Sequence, residues 1–108
     1  MAGTALITGA TAGLGAEFAR QLGGTGVNLV LVARDTARLA AFAAELSATY
    51  GVSATWLAAD LSTASGRSAV ADRLASTDEP IRILINNAGF GLLGAFEENS
   101  LADEQALL

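Results

Sequence analysis

A doubly wound α/β fold around a parallel sheet is predicted by three features of this 108-residue chain. Short Val-, Ile- and Leu-rich runs alternate with longer segments of helical periodicity, in the order βαβαβαβ with the start of a further helix. The apolar runs are continuous, as strands covered on both faces require. Glycine-bearing turns, Thr8 to Gly15 and Asn86 to Gly89, follow the first and fourth strands. Right-handed crossovers then give the sheet order 3-2-1-4, truncated after the fourth strand, with the winding reversing between strands one and four. Ligands of such sheets bind at the carboxyl ends of the strands beside that reversal, so both turns fall on one crevice. No repeat, low-complexity tract or linker interrupts residues 1–108, which read as part of a single domain.

Thr4 to Thr8 is the first strand. Leu14 to Leu22 is an amphipathic helix, with Phe18 and Leu22 one turn apart and Gly23-Gly24 as its stop. Val27 to Ala33 is the second strand. Thr36 to Tyr50 is the second helix; Leu39, Phe42, Ala43 and Leu46 share one face, and Asp35 supplies the N-cap. Ser53 to Ala59 is the third strand and carries Trp56, which is assigned to the core with Phe18, Phe42, Val30 and Ile83. The third helix runs from Ala64 to Ser76, with Val70 and Leu74 one turn apart and Ser62 or Thr63 as its cap. Pro80 punctuates the chain before the fourth strand, Ile81 to Ile85. A loop from Gly89 to Gly94 leads to Ser100, which with Asp103 resembles a capping box opening another helix.

The composition narrows the chemistry. The chain is 52% apolar, with mean hydropathy +0.45. Its longest apolar runs, such as Leu29 to Ala33, fall far short of the roughly 18 residues of a membrane span, so buried strands explain the hydropathy and no membrane association is expected. Without cysteine or histidine the segment has no disulfide, thiolate, zinc site or histidine triad. The net charge of −5 argues against nucleic acid as a partner. The N-terminus lacks the basic flank of a secretory signal, and a cytoplasmic location is expected. All basic residues are arginines: Arg20, Arg34, Arg38, Arg67, Arg73 and Arg82. There is no lysine, and Tyr50 is the only tyrosine.

A strand, a glycine-rich turn and a helix together offer bare backbone amides to a phosphate, with the helix dipole adding partial positive charge. In Thr8-Gly9-Ala10-Thr11-Ala12-Gly13-Leu14-Gly15, the glycines divide the work. Gly9 permits the sharp turn, Gly13 lets a pyrophosphate approach the backbone, and Gly15 allows close helix–strand packing. The spacing is Gly-x-x-x-Gly-x-Gly, not the general Gly-x-Gly-x-x-Gly fingerprint, and alone it also suits an ordinary strand-to-helix connection. Asn86-Asn87-Ala88-Gly89 at the same crevice strengthens the nucleotide reading.

Thr-Gly-x-x-x-Gly-x-Gly followed by Asn-Asn-Ala-Gly resembles the short-chain dehydrogenase/reductase family, single-domain subtype, over the whole chain. The resemblance implies a Rossmann-type dinucleotide-binding domain. It also implies hydride transfer between a nicotinamide and a small-molecule alcohol or carbonyl substrate, and a homo-oligomer at full length. It implies that Asp60 accepts a hydrogen bond from the adenine amino group while Leu61 packs on the ring, although Asp60 also suits a helix N-cap. Asn86, Ala88 and Gly89 line the ribose side through their backbones, and Asn87 is mainly structural. At the end of the second strand, Ala33 stands where NAD-preferring relatives carry an acid. Arg34 follows, with a planar fork suited to a 2′-phosphate. NADP is therefore expected, with NAD as the alternative, because Asp35 could serve a ribose hydroxyl and Ala12 is not basic. Thr11 contributes a hydroxyl, and Leu14 completes the cofactor-binding turn. Phe90, Leu92 and Leu93 suit either a substrate border or loop packing, and Glu97-Glu98 reads as a solvated helix entrance.

The family's catalysis depends on a Tyr-x-x-x-Lys pair with a preceding Ser, all lying beyond the position matching Leu108. Tyr50 is followed four residues later by Ala54, so it is not that pair. The chain therefore reads as the N-terminal part of a longer reductase of about 250 residues. It is expected to be inactive alone and marginally stable, with an apolar edge where a fifth strand would pair. Two other readings remain open: a non-catalytic dinucleotide sensor or pseudoenzyme, and a doubly wound domain for a different nucleotide.

Overall fold

The computed structural model describes residues 3–87. Ala88, Gly89, the loop to Gly94, Glu97-Glu98 and the Ser100–Asp103 capping box lie outside them. The described elements are β1 (Thr4–Thr8), α1 (Gly13–Gly24), β2 (Asn28–Ala33), α2 (Thr36–Tyr50), β3 (Ala54–Ala58), α3 (Ala64–Ala75) and β4 (Ile83–Asn86). All strand pairings are parallel, in the order β3-β2-β1-β4, as expected. Leu6 lies opposite Val30 on one side and Leu84 on the other; Ile7 lies opposite Leu31 and Ile85.

This register sorts the side chains into two layers, because successive residues of a strand face opposite ways. Ala5, Ile7, Leu29 and Leu31 meet Ala16 and Ala19 of α1 and Leu39, Phe42, Ala43 and Leu46 of α2. Leu6, Val30, Val32 and Leu84 meet Val70 of α3, together with Leu61 and Ala59. The chain thus passes from one face of the sheet to the other between β3 and β4, which opens the crevice between β1 and β4. Burying a side chain such as Ile7 or Leu31 is worth about 1.5–3 kcal/mol. A helix cap is worth about 1 kcal/mol, so the two apolar layers dominate the fold and the caps fix where its helices begin.

Local sequence accounts for those helix boundaries. Asp35 caps α2 by accepting from the Arg38 amide at 3.1 Å. Between the two cap candidates for α3, the structure selects Thr63, whose Oγ1 accepts from the Gly66 amide at 3.0 Å. α1 runs through Gly24 instead of stopping at Leu22, and Thr25 Oγ1 closes it by donating to the Leu22 carbonyl at 2.8 Å. Gly23 is buried against the Tyr50 ring, so it serves α1–α2 packing and not termination. β4 begins two residues later than expected and extends to Asn86, which pairs with Thr8.

Trp56 departs from its core assignment and is 40% exposed. It lies opposite Leu31, on the face covered by α1 and α2, but among the described residues β3 is the edge strand and has no strand on its outer flank. Phe42 and Val30 are buried as expected, while Phe18 and Ile83 are partly buried against the layer that holds Phe42. Among the described residues, no helix is long and apolar enough to cross a membrane.

Candidate functional site

The carboxyl ends of the strands carry the candidate residues along one edge of the sheet. β1 ends in Thr8, which is fully buried. Its Oγ1 lies 3.2 Å from Asn86 Oδ1 and 3.4 Å from the Ile85 carbonyl oxygen, joining the ends of β1 and β4. Gly9 follows with φ +61°, a left-handed conformation that reverses the chain without a side-chain penalty. The Ala10 amide then donates to the Val32 carbonyl at 3.2 Å, fixing the turn to β2. From the other side Asn87 Nδ2 donates to the Gly9 carbonyl at 3.4 Å.

Gly13 and Gly15 occupy different surroundings. A Cβ on Gly13 (φ +55°) would meet nothing within 4 Å, so this position faces open space. A Cβ on Gly15 would run into the Gly9 carbonyl oxygen and lie 2.9 Å from Asn87 Nδ2. The first turn of α1 therefore rests directly on the backbone of the glycine turn.

α1 is also electrostatically distinct. Its N-cap, Ala12, makes no side-chain cap bond, whereas α2 and α3 have side-chain caps; none of the three has an acidic residue in its first turn. An uncapped helix start with free amides attracts an anion. Leu14, in the same turn, is 63% exposed at the mouth of the crevice.

The ends of β2 and β3 extend this edge. Arg34 is exposed directly after β2, and Asp60 lies just beyond β3. Asp60 Oδ1 accepts from the Ser62 hydroxyl at 2.6 Å and the Ser62 amide at 2.9 Å. These bonds hold the Asp60 carboxyl below the usual carboxylate range, with a smaller contribution from the positive charge of Arg34. Asp60 is not the cap of α3, since Thr63 fills that role. Leu61 follows on the same turn. It is 4% exposed and packs with Val30, Val32 and Val70, because the turn after β3 folds it beneath α3.

Gly9, Thr11, Ala12, Gly13, Leu14, Gly15 and Asn86 thus gather at the β1–β4 boundary, with Arg34 and Asp60 further along the same edge. Ala88 and Gly89 lie outside the described residues. Arg38 is a further member that the motifs did not single out. Its Nη2 donates to the Thr11 carbonyl at 3.2 Å, which brings a guanidinium beside Ala12. Its one signal in the sequence is its position four residues after Arg34, within the turn that Asp35 caps.

Comparison with known proteins matches this chain to the short chain dehydrogenase family model over residues 3–108. It is 43% identical over 86 residues to a very-long-chain 3-oxoacyl-CoA reductase of Meyerozyma guilliermondii, covering 79% of this chain and 25% of that protein. A short-chain dehydrogenase from Sphingobium yanoikuyae in complex with NADPH superposes with a TM-score of 0.77 at 38% identity, covering 97% of this chain and 46% of that one. The L-sorbose reductase of Gluconobacter frateurii, complexed with NADPH and L-sorbose, gives a TM-score of 0.75 at 37% identity, covering 83% of this chain and 34% of that one. The chain spans about a quarter of the length of the curated relatives it matches.

Proposed function

The chain belongs to the short-chain dehydrogenase/reductase family, and on that premise we propose that it is the NAD(P)-binding portion of an oxidoreductase that uses NADP(H). One observation carries the reading: the glycine turn and Asn87 meet at the β1–β4 boundary, at the uncapped start of α1. The residues present fit a dinucleotide. Gly13 leaves space where a pyrophosphate would lie, and the first amides of α1 donate to it. The Thr11 hydroxyl adds a donor, while Ala12 and Leu14 flank the approach. Asp60 receives the adenine amino group, and Asn86, Ala88 and Gly89 border the ribose on the nicotinamide side. Bound there, the cofactor supplies or accepts a hydride.

Arg34 is the residue that selects the 2′-phosphate, since a guanidinium fork matches phosphate geometry. Arg38 adds a second positive charge from α2, where Ala12 supplies none. Similarity to a short-chain dehydrogenase and an L-sorbose reductase, both complexed with NADPH, supports the same preference.

The whole protein interconverts a small-molecule alcohol and its carbonyl partner in the cytoplasm as a homo-oligomer. These 108 residues contain no lysine, so they hold no Tyr-x-x-x-Lys pair. Resemblance to 3-oxoacyl-CoA and L-sorbose reductases favours carbonyl reduction as the physiological direction. Parallel titrations with NADPH and NADH test the binding claim. Saturable binding of both, tighter for NADPH, is expected, and absence of binding to either refutes it.

A further inference from the structure

We propose that Gly66 is a positioning residue for the adenine side of the cleft, a role that rests on the NADP(H) reading above. Glycine is a poor helix former, yet Gly66 lies buried in the first turn of α3. Its surroundings supply the reason. A Cβ at this position would run into the Asp60 carbonyl oxygen, and would lie 2.6 Å from the Asp60 carbonyl carbon and 2.9 Å from its amide nitrogen. All three are backbone atoms, so no rotamer change relieves the contact.

The Asp60 backbone is also tied in place from several sides. Its carbonyl accepts from the Thr63 amide at 3.0 Å and from Thr63 Oγ1 at 2.8 Å. That same Oγ1 accepts from the Gly66 amide at 3.0 Å, closing a loop of bonds from strand end to helix. The preceding residue, Ala59, is fixed to β2 through the Ala33 carbonyl at 2.9 Å. The following residue, Leu61, is buried, and its carbonyl accepts from Arg67 Nη1 at 2.9 Å. With its backbone immobilised and Oδ1 held by Ser62, the Asp60 carboxylate has a set direction. The arrangement repeats the seating of Gly15 on Gly9 at the phosphate side: two strand-end turns, each resting on a helix through a glycine. Gly66 thereby aims Asp60, and a side chain at position 66 pushes that carboxylate out of place.

The test compares AMP, the adenosine half of the cofactor without its 2′-phosphate, with reduced nicotinamide mononucleotide, the other half. Both are titrated calorimetrically below the unfolding midpoint of each protein. Gly66→Ala is expected to weaken AMP by about tenfold, the loss of one good hydrogen bond, and to leave the mononucleotide unchanged. Ser68→Gly, at an exposed position of the same helix, weakens α3 without approaching Asp60 and is expected to leave both affinities unchanged. Wild-type AMP affinity in Gly66→Ala overturns the proposal, as does an equal loss in Ser68→Gly. If wild-type protein binds neither probe, the cofactor reading itself falls, and the proposal with it. Should Gly66→Ala not fold, Thr63→Ala opens the same loop of bonds without adding volume; undiminished AMP affinity in that variant overturns the proposal.

Discussion

Asn87 Nδ2 donates to the Gly9 carbonyl oxygen at 3.4 Å, so a residue just beyond β4 holds the turn that follows β1. The bond closes the crevice across the point where the sheet reverses its winding, and it anchors the backbone on which α1 rests. Asn87→Ala is expected to cost about 0.5–1.5 kcal/mol of stability, the usual net value of such a bond. NADPH and NADH affinities should fall by similar factors, because both cofactors share that turn. Urea unfolding and paired titrations check this; an effect on one cofactor alone contradicts it.

Gly15→Ala should be more damaging to the fold. The added methyl meets the Gly9 carbonyl and Asn87 Nδ2 together, and neither can turn aside without losing the bond between them. Overpacking of this kind costs about 1–3 kcal/mol. The denaturant midpoint should fall, with loss of binding to both cofactors. A Gly15→Ala protein of unchanged midpoint would show that α1 does not bear on the turn.

Arg34→Ala is expected to separate the cofactors. Losing a charge-assisted bond to the 2′-phosphate costs about 1.5–3 kcal/mol of NADPH binding, while NADH affinity should barely change. Arg38→Ala should also weaken NADPH. It should additionally weaken NADH modestly, because its guanidinium supports the Thr11 carbonyl in the turn used by both. Equal losses for the two cofactors in Arg34→Ala discard the assignment.

Asp60 makes stability depend on pH. Bonds from Ser62 and the nearby Arg34 charge lower its pKa in the folded state. The unfolded chain therefore takes up the proton first as pH falls, so the stabilisation is complete above the ordinary aspartate value of about 3.9. It is lost as pH drops through the lower folded value. Asp60→Asn keeps an acceptor for Ser62 but removes the titration. Its unfolding midpoint should decline less steeply than wild type below about pH 4. Parallel declines in the two proteins contradict the coupling.

Much of this architecture is written in local pattern. Leu39, Phe42, Ala43 and Leu46 recur at helical spacing and are all buried, and Asp35 caps where a short acceptor precedes an apolar-periodic run. The order of strands follows from chain alternation and handedness. Features set by crossings between elements are not visible that way. Trp56 reads as core because its strand is apolar, but its exposure depends on β3 being the sheet edge. Arg38 reaches Thr11 only because α2 starts beside the glycine turn. Leu61 points inward because α3 closes over it, and Gly66 looks like a weak helix residue until Asp60 is seen against it.

One dinucleotide is proposed to occupy the crevice between the glycine turn and Asn87. Amide chemical-shift mapping during an NADPH titration of isotope-labelled protein tests it most directly. The largest shifts are expected at Gly13, Leu14, Gly15 and Asn87, with smaller ones at Arg34 and Asp60. Shifts confined to the opposite end of the sheet, around Thr4, Asn28 and Ser53, or none at saturating NADPH, would contradict it.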